Sequence, residues 1–284
     1  ALPEVEIEDR PRFRWRGQHL DVCRHFFSVA DVCRFIDLLA LHRLNVCHLH
    51  LTEDQGWRIE IRKYPRLTEV GCQRDCTLVG HESARPRRYD NTPYGGYYTQ
   101  DDIRRLVTFA ARRHITLVPE IDMPGHMVAA IASYPELGNL GVAPRVRCHW
   151  GISENVLNVE ESTIAFMKDV LDEVMALFPG RFIHVGGDEA PKREWSNSAR
   201  AQARMAELGL RSEDELQSWF IRQMDAHIRA AGRRLIGWDE ILEGGLAEGA
   251  AVMSWRGESG GLAAASQGHD VVMAPNQWVY FDHY

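Results

Sequence analysis

The stretch FIHVGGDEA, Phe182 to Ala190, reads as the end of a β-rich run from Arg181 to Gly187 that breaks at Gly186-Gly187 and delivers two carboxylates, Asp188 and Glu189. Glycines at a strand end remove side chains and let a bulky group approach the backbone. The acids would also suit a solvated strand end or a cap for the next helix, but neither role explains the paired glycines. Six further runs of the same character lie on either side: Leu20 to Phe26, Asn45 to Leu51, Ile115 to Ile121, Arg233 to Trp238, Ala251 to Trp255 and Asp270 to Ala274. Helical patterns stand between them. Val32, Phe35, Ile36 and Leu39 form an apolar stripe behind Asp31 as a candidate cap. Thr99 with Asp102, and Ser212 with Glu215, have the spacing of a capping box before their own stripes. Strand, loop and helix in steady alternation predict a parallel α/β fold.

The strand ends carry unusual polar residues: Arg24, Asp54, Asp122, Asp188, Trp238 with Asp239, and Trp255. A (β/α)8 barrel of the TIM type gathers all strand C-termini around one mouth, whereas an open doubly wound sheet strings them along a crevice, so this convergence favours the barrel. The long segments after strands, Arg62 to Tyr98 and Pro135 to Glu161, then belong to the mouth. Neither GxGxxG after the first strand nor GxxxxGK[ST] occurs, which argues against dinucleotide or phosphate-cradle chemistry. We read residues 1–18 as a lead-in and residues 19–284 as one barrel domain. Seven strand candidates are one short of closure, so the eighth strand is expected to be missing, leaving an open edge that would favour self-association into a homo-oligomer.

With 45% hydrophobic and 26% charged residues, the 284-residue chain can bury a large core. A net charge of -7 argues against a nucleic-acid partner, and the Arg85 to Arg88 stretch (RPRR) reads as a solvated loop. No apolar run is long enough for a membrane span, and the compartment is left open. The six cysteines fit no zinc spacing and are read as free thiols, with Cys72 and Cys76 close enough in sequence for a bridge as the alternative.

Two carboxylates held close push one pKa upward, so one can remain protonated as an acid while the other stays ionised. That division suits glycoside cleavage, yet ordinary glycosidases separate their two carboxyls by about 5 Å or more across the scissile bond. Adjacent residues at one strand end do not achieve this easily. A sugar with a 2-acetamido group can supply the missing nucleophile from its own carbonyl oxygen.

Seven stretches together resemble the family-20 β-N-acetylhexosaminidases and occur in that family's order: RHFF (Arg24 to Phe27), HLHLTEDQGWRIEI (His48 to Ile61), PEIDMPGH (Pro119 to His126), HVGGDE (His184 to Glu189), GWDEIL (Gly237 to Leu242), SWRG (Ser254 to Gly257) and VYFDHY (Val279 to Tyr284). The resemblance implies a retaining exo-glycosidase that releases terminal β-linked N-acetylglucosamine or N-acetylgalactosamine, with an N-acetylhexosamine-containing oligosaccharide or glycoconjugate as partner and no cofactor or metal. By the same resemblance, Glu189 is the general acid and base, Asp188 orients the acetamido group, and Tyr280 donates to its oxygen. Trp238 and Trp255 are implied as pocket walls and Arg24 as the ligand of the 3- and 4-hydroxyls. Asp54 and His126 are implied as a supporting pair for Glu189, with Asp122 and Asp282 near the site. Trp57, Trp150, Trp195 and His184 are left as structural or unassigned.

Two rival readings follow from the residues. His48 and His50 form an HxH on a strand that would suit a metal-dependent barrel hydrolase, although later strand ends offer tryptophans where further histidine ligands are wanted. An inactive, incomplete sugar-binding barrel is the other, since the family's last strand, with a further Trp and Glu that hold the sugar, has no match here.

Overall fold

The protein, described over residues 4–282 of a computed structural model, is built on seven parallel strands in chain order. They are β1 (Gly17–Asp21), β2 (Val46–His50), β3 (Thr116–Glu120), β4 (Phe182–His184), β5 (Arg234–Trp238), β6 (Ala251–Ser254) and β7 (Val271–Met273). Each run read from the sequence contains or overlaps one of them. The largest difference is at β1, which starts at Gly17, inside the segment read as a lead-in, because its residues pair one for one with Val46 to His50. His283 and Tyr284 of the last motif lie outside the described residues.

The sheet is strongly curled. In a flat sheet, β1 and β5 would lie roughly 19 Å apart at ordinary strand spacing. Instead the rings of His19 on β1 and Trp238 on β5 approach to 6.0 Å between centroids. Side-chain alternation then sorts residues into two cores. Val46, Val118, Ile236, Trp238, Ala251 and Met253 fill the concave interior. Cys47, Leu49, Leu117, Leu235 and Val252 point outward into the larger core beneath the helices.

Five helices cover the convex face: α1 (Val29–Leu41), α2 (Gln100–Ala111), α3 (Glu161–Leu177), α4 (Glu213–Ala230) and α5 (Ser259–Ser266). α1 buries Val32, Ile36 and Leu39, spaced one helical face apart. Its cap is Ser28, not Asp31. Asp31 lies three residues into the helix and completes the capping box by accepting from the Ser28 backbone N–H. Thr99 and Asp102 form the box as expected. At α4 only half of it forms: Ser212 Oγ accepts from Glu215 N–H, while the Glu215 carboxylate accepts from Arg211 N–H, one residue earlier. Between β5 and β6 the alternation fails. Only a 3₁₀ turn, Asp239–Leu242, separates them, followed by a run containing Gly244 and Gly245 with positive φ, which does not sustain a helix.

The segment from Arg62 to Tyr98, read as irregular, carries a short helix, Arg66–Glu69, and two small ladders, Gln73–Arg74 with Tyr94–Gly95 and Leu78–Val79 with Arg88–Tyr89. All six cysteines are free, and the thiol of Cys76 is hydrogen-bonded with that of Cys148 instead of neighbouring Cys72. No described helix is long and apolar enough to cross a membrane.

Candidate active site

The strand C-termini converge on His126, which lies in the loop after β3 and is almost wholly buried. Its Nε2 faces the acidic pair, 3.3 Å from Glu189 Oε2 and 3.7 Å from Asp188 Oδ2. Its Nδ1 lies 2.8 Å from Glu53 Oε1 and 3.9 Å from Asp54 Oδ2. Glu53, which sequence reasoning passed over in favour of Asp54, is therefore the hydrogen-bonded partner. Asp54 instead accepts from Val128 N–H and pairs with Arg147 at 2.9 Å. The TED stretch offered two adjacent acids with no strand periodicity to separate them, because β2 ends at His50 and Thr52–Glu53 folds into a two-residue hairpin with Gly56–Trp57.

The backbone here is unusual. Gly186 and Gly187 have φ of +64° and +92°, and a Cβ on Gly186 would fall 1.7 Å from Asp122 Oδ1. These glycines turn the chain sharply rather than clearing space for substrate, which revises the reason given for them above. Gly186 N–H donates to His184 Nδ1 and Gly187 N–H to Asp122 Oδ1, which gives His184 a structural role. Glu189 at φ +45° and His126 at φ +55° also lie in the left-handed region, a strain that clusters at functional sites.

Charge is distributed unevenly. Burial raises the pKa of Asp188, as do the neighbouring carboxylates Glu120, Glu53 and Glu189, with His126 opposing. Asp122 is raised further by burial and by the charge of Asp188. Burial opposes charge on His126, but Glu53, Glu189 and Asp188 overcome it and hold the imidazole well above its ordinary range. Burial likewise works against an ionised Glu53, yet Arg24, His126 and His50 keep it well below. Arg24 reaches Glu53 at 3.2 Å and Asp21 at 2.9 Å, so it stands at the mouth on two carboxylates.

Around the acids stand the aromatic residues named from sequence. Trp238 Nε1–H donates to Glu120 Oε1 at 2.7 Å, and Trp255 Nε1–H to Glu240 Oε2 at 2.9 Å. The Tyr280 ring stacks near Trp255, 6.3 Å between centroids, and its phenol is raised by burial and then by Asp188. Asp282 is exposed, and its charge adds to the rise of the Tyr280 phenol. Glu240, also missed, is pushed up to about 7 by burial and by Asp188, with the Trp255 bond opposing. With Glu189, Lys192, Gln217, Trp255 and Arg256 it lines a cavity of about 390 Å³ beside the acid. Trp57 and Trp195 are fully buried and donate to backbone carbonyls of Ile59 and Leu157, so both are structural. The Trp150 face carries the Arg74 guanidinium.

The metal reading of His48 and His50 meets a chemical objection. Both nitrogens of His50 face carboxylates, Glu120 at 2.7 Å and Glu53 at 3.1 Å, and the ring is held well above its ordinary pKa, so no lone pair is offered. His48 Nε2 lies 2.8 Å from the same Glu120 oxygen, so both rings of the HxH are turned onto one carboxylate. Asp122 and Asp188, also close together, are both biased toward protonation, which disfavours metal ligation.

The chain is similar over its whole length to known proteins. It is 50% identical to a β-hexosaminidase of Porphyromonas gingivalis over 100% of this chain and 35% of that protein, and 40% identical to one of Vibrio furnissii over 99% and 46%. The chain thus spans between a third and a half of these curated relatives. Among solved structures it resembles an exo-β-N-acetylglucosaminidase of Vibrio harveyi in complex with N-acetylglucosamine, at 40% identity and a TM-score of 0.81, covering 95% of this chain and 42% of that one. A β-N-acetylhexosaminidase crystal structure superposes with a TM-score of 0.86 at 31% identity, covering 96% and 57%. Residues 13–284 match the model of the glycosyl hydrolase family 20 catalytic domain, and to that family the chain belongs.

Proposed function

We propose that this chain is a retaining β-N-acetylhexosaminidase that releases terminal β-linked N-acetylglucosamine or N-acetylgalactosamine through the substrate's own 2-acetamido group. The observation that carries the reading is the approach of Asp188 and Glu189 to one nitrogen of His126. Two carboxylates on the same imidazole do not flank a glycosidic bond as a nucleophile and an acid do, so one is left to serve an internal nucleophile. In this reading Glu189 protonates the leaving oxygen and then activates water. Asp188 orients the acetamido N–H and stabilises the cyclised, charged intermediate. Tyr280 donates to the acetamido oxygen, Trp238 and Trp255 enclose the methyl group and the sugar face, and Arg24 holds the ring hydroxyls.

The architecture supporting this is a (β/α)8 barrel whose sheet lacks one strand between β7 and β1, in a single domain that begins with β1 at Gly17, two residues before the boundary read from the sequence. The curl that brings β1 to β5 supports it. An incomplete barrel that only binds sugar is the second reading, and the unpaired outer side of β7, where Met273 is half exposed, favours it.

A thiazoline mimic of the cyclised sugar tests the mechanism. Tight competitive inhibition of aryl N-acetyl-β-glucosaminide hydrolysis is expected, with no covalent trapping by a 2-fluoro sugar. Glu189→Gln should reduce turnover of poor leaving groups by roughly 10²–10⁴-fold and spare activated aryl groups more, as loss of a general acid requires. Trapping by the 2-fluoro sugar without thiazoline inhibition would overturn the internal nucleophile.

A further inference from the structure

The contacts of His126 do not end at Glu53. Glu53 Oε2 lies 3.1 Å from Nε2 of His50, whose Nδ1 lies 2.7 Å from Glu120 Oε2, and Glu120 Oε1 accepts from the indole N–H of Trp238 at 2.7 Å. Carboxylate and imidazole thus alternate without a gap from one wall of the sugar pocket to Glu189, across β5, β3, β2 and the loop after β3. Glu53, His50 and Glu120 are all buried. We propose that His50 is a positioning residue that joins the two halves of the site, holding Trp238 through Glu120 and the acid Glu189 through Glu53 and His126. This rests on the hexosaminidase reading and goes beyond it, since none of the residues named from sequence for the reaction links the pocket wall to the acid.

His50 suits this place because it is a two-ended donor. A side chain with a donor at one end only would keep one of the two carboxylates and release the other, leaving Glu53 to Arg24 and His126 or Glu120 to Trp238 and His48, with nothing to join them. The groups facing it are Glu120 from β3, Glu53 beyond β2, Asp21 and the His19 ring from β1, with Asp122 more distant. Burial opposes its charge, yet the two hydrogen-bonded carboxylates keep it protonated well above the ordinary histidine value. His48, by contrast, is lowered to about 3 by burial and stays neutral against the same Glu120. Only His50 bridges.

The two ends can be cut separately. In His50→Gln the amide reaches the position of Nε2 and keeps the bond to Glu53. In His50→Asn it reaches that of Nδ1 and keeps the bond to Glu120. On a substrate with a poor leaving group, His50→Asn is expected to lower kcat about tenfold with KM nearly unchanged, and His50→Gln to raise KM with a smaller loss in kcat. Equal changes in both parameters for both variants would overturn the proposal, because a merely structural residue has no reason to split them. A readout free of turnover separates this failure from failure of the functional reading. With ¹⁵N-labelled histidine in the full chain, and His126 assigned through His126→Gln, the His126 ring signals should move in His50→Asn and stay in place in His50→Gln. If wild type is inert on aryl glycosides but this pattern holds, the functional reading falls and the linkage stands. If neither His50 variant folds, Glu120→Gln takes their place. It keeps an acceptor for Trp238 and removes the charge beside His50, and unmoved His126 signals in that variant would overturn the linkage.

Discussion

His126 has different chemistry at its two nitrogens, and the neighbouring acids Glu53 and Asp54 are unequal for that reason. Glu53 takes the Nδ1 hydrogen bond and leaves Nε2 for the acidic pair, whereas Asp54 ties down Val128 and Arg147. Glu53→Gln should therefore cost about 10–100-fold in kcat/KM, the usual effect of losing a partner that orients an active group, while Asp54→Asn should cost only a few-fold. The reverse order in steady-state assays would restore Asp54 as the partner. At this scale the sequence is readable where a residue stands at a motif end facing the mouth: Asp188, Glu189, Arg24, Trp238 and Trp255 could all be named. It is unreadable where a residue acts through burial. Glu120 lies in PEIDMPGH beside the named Asp122, but nothing in a linear string shows that an interior-facing Glu meets an indole from a strand 118 residues later.

Among the elements, the seven strands were legible because β-branched and apolar runs recur between helix stripes, and every one appears within a few residues of its expected place. Boundaries were less so, since ladder pairing decides them: β1 begins where Gly17 finds Val46. Caps show the same limit. Ser28 and Asp31 are both good cap residues, and the choice turns on backbone geometry, with Ser28 extended at φ -63° and ψ 161°. Ser28→Ala removes the Oγ acceptor for Asp31 N–H and half of the box, so a loss of about 1 kcal/mol is expected in urea unfolding. An Asp31→Ala variant that costs more than Ser28→Ala would contradict that ranking. The missing helix between β5 and β6 was hidden for a different reason. Strand spacing alone does not show that glycines at 244 and 245 use the short crossover as a turn.

For the molecule as a whole, the buried ion network fixes how stability depends on pH. Glu53 and Glu120 have folded-state pKa values held well below the ordinary 4.5, so their contribution is present above 4.5 and is lost as the pH falls through the depressed values. His50 and His126 are raised well above 6.5, so theirs is complete below 6.5 and is lost as the pH rises toward the raised values. Asp188 and Asp122, raised by burial, also favour the acidic side of neutrality. Melting temperature should thus be highest between about pH 4.5 and 6.5 and decline on the alkaline side, a decline that His50→Gln flattens; a plateau extending through pH 9 would contradict it. The same scale governs association. Among the described residues no ladder joins β7 to β1; Met273 on that edge strand is 47% exposed, and Trp278 at 79% and Phe281 at 85% follow it in the chain. Unpaired strand groups and exposed apolar surface are a template for pairing with another chain. The 284-residue chain alone is therefore expected to sediment as dimers or larger species at micromolar concentration. Charged substitutions at Trp278 and Met273 should shift it toward monomer without altering its circular dichroism. A monodisperse wild-type monomer in sedimentation velocity would mean that this edge is already covered.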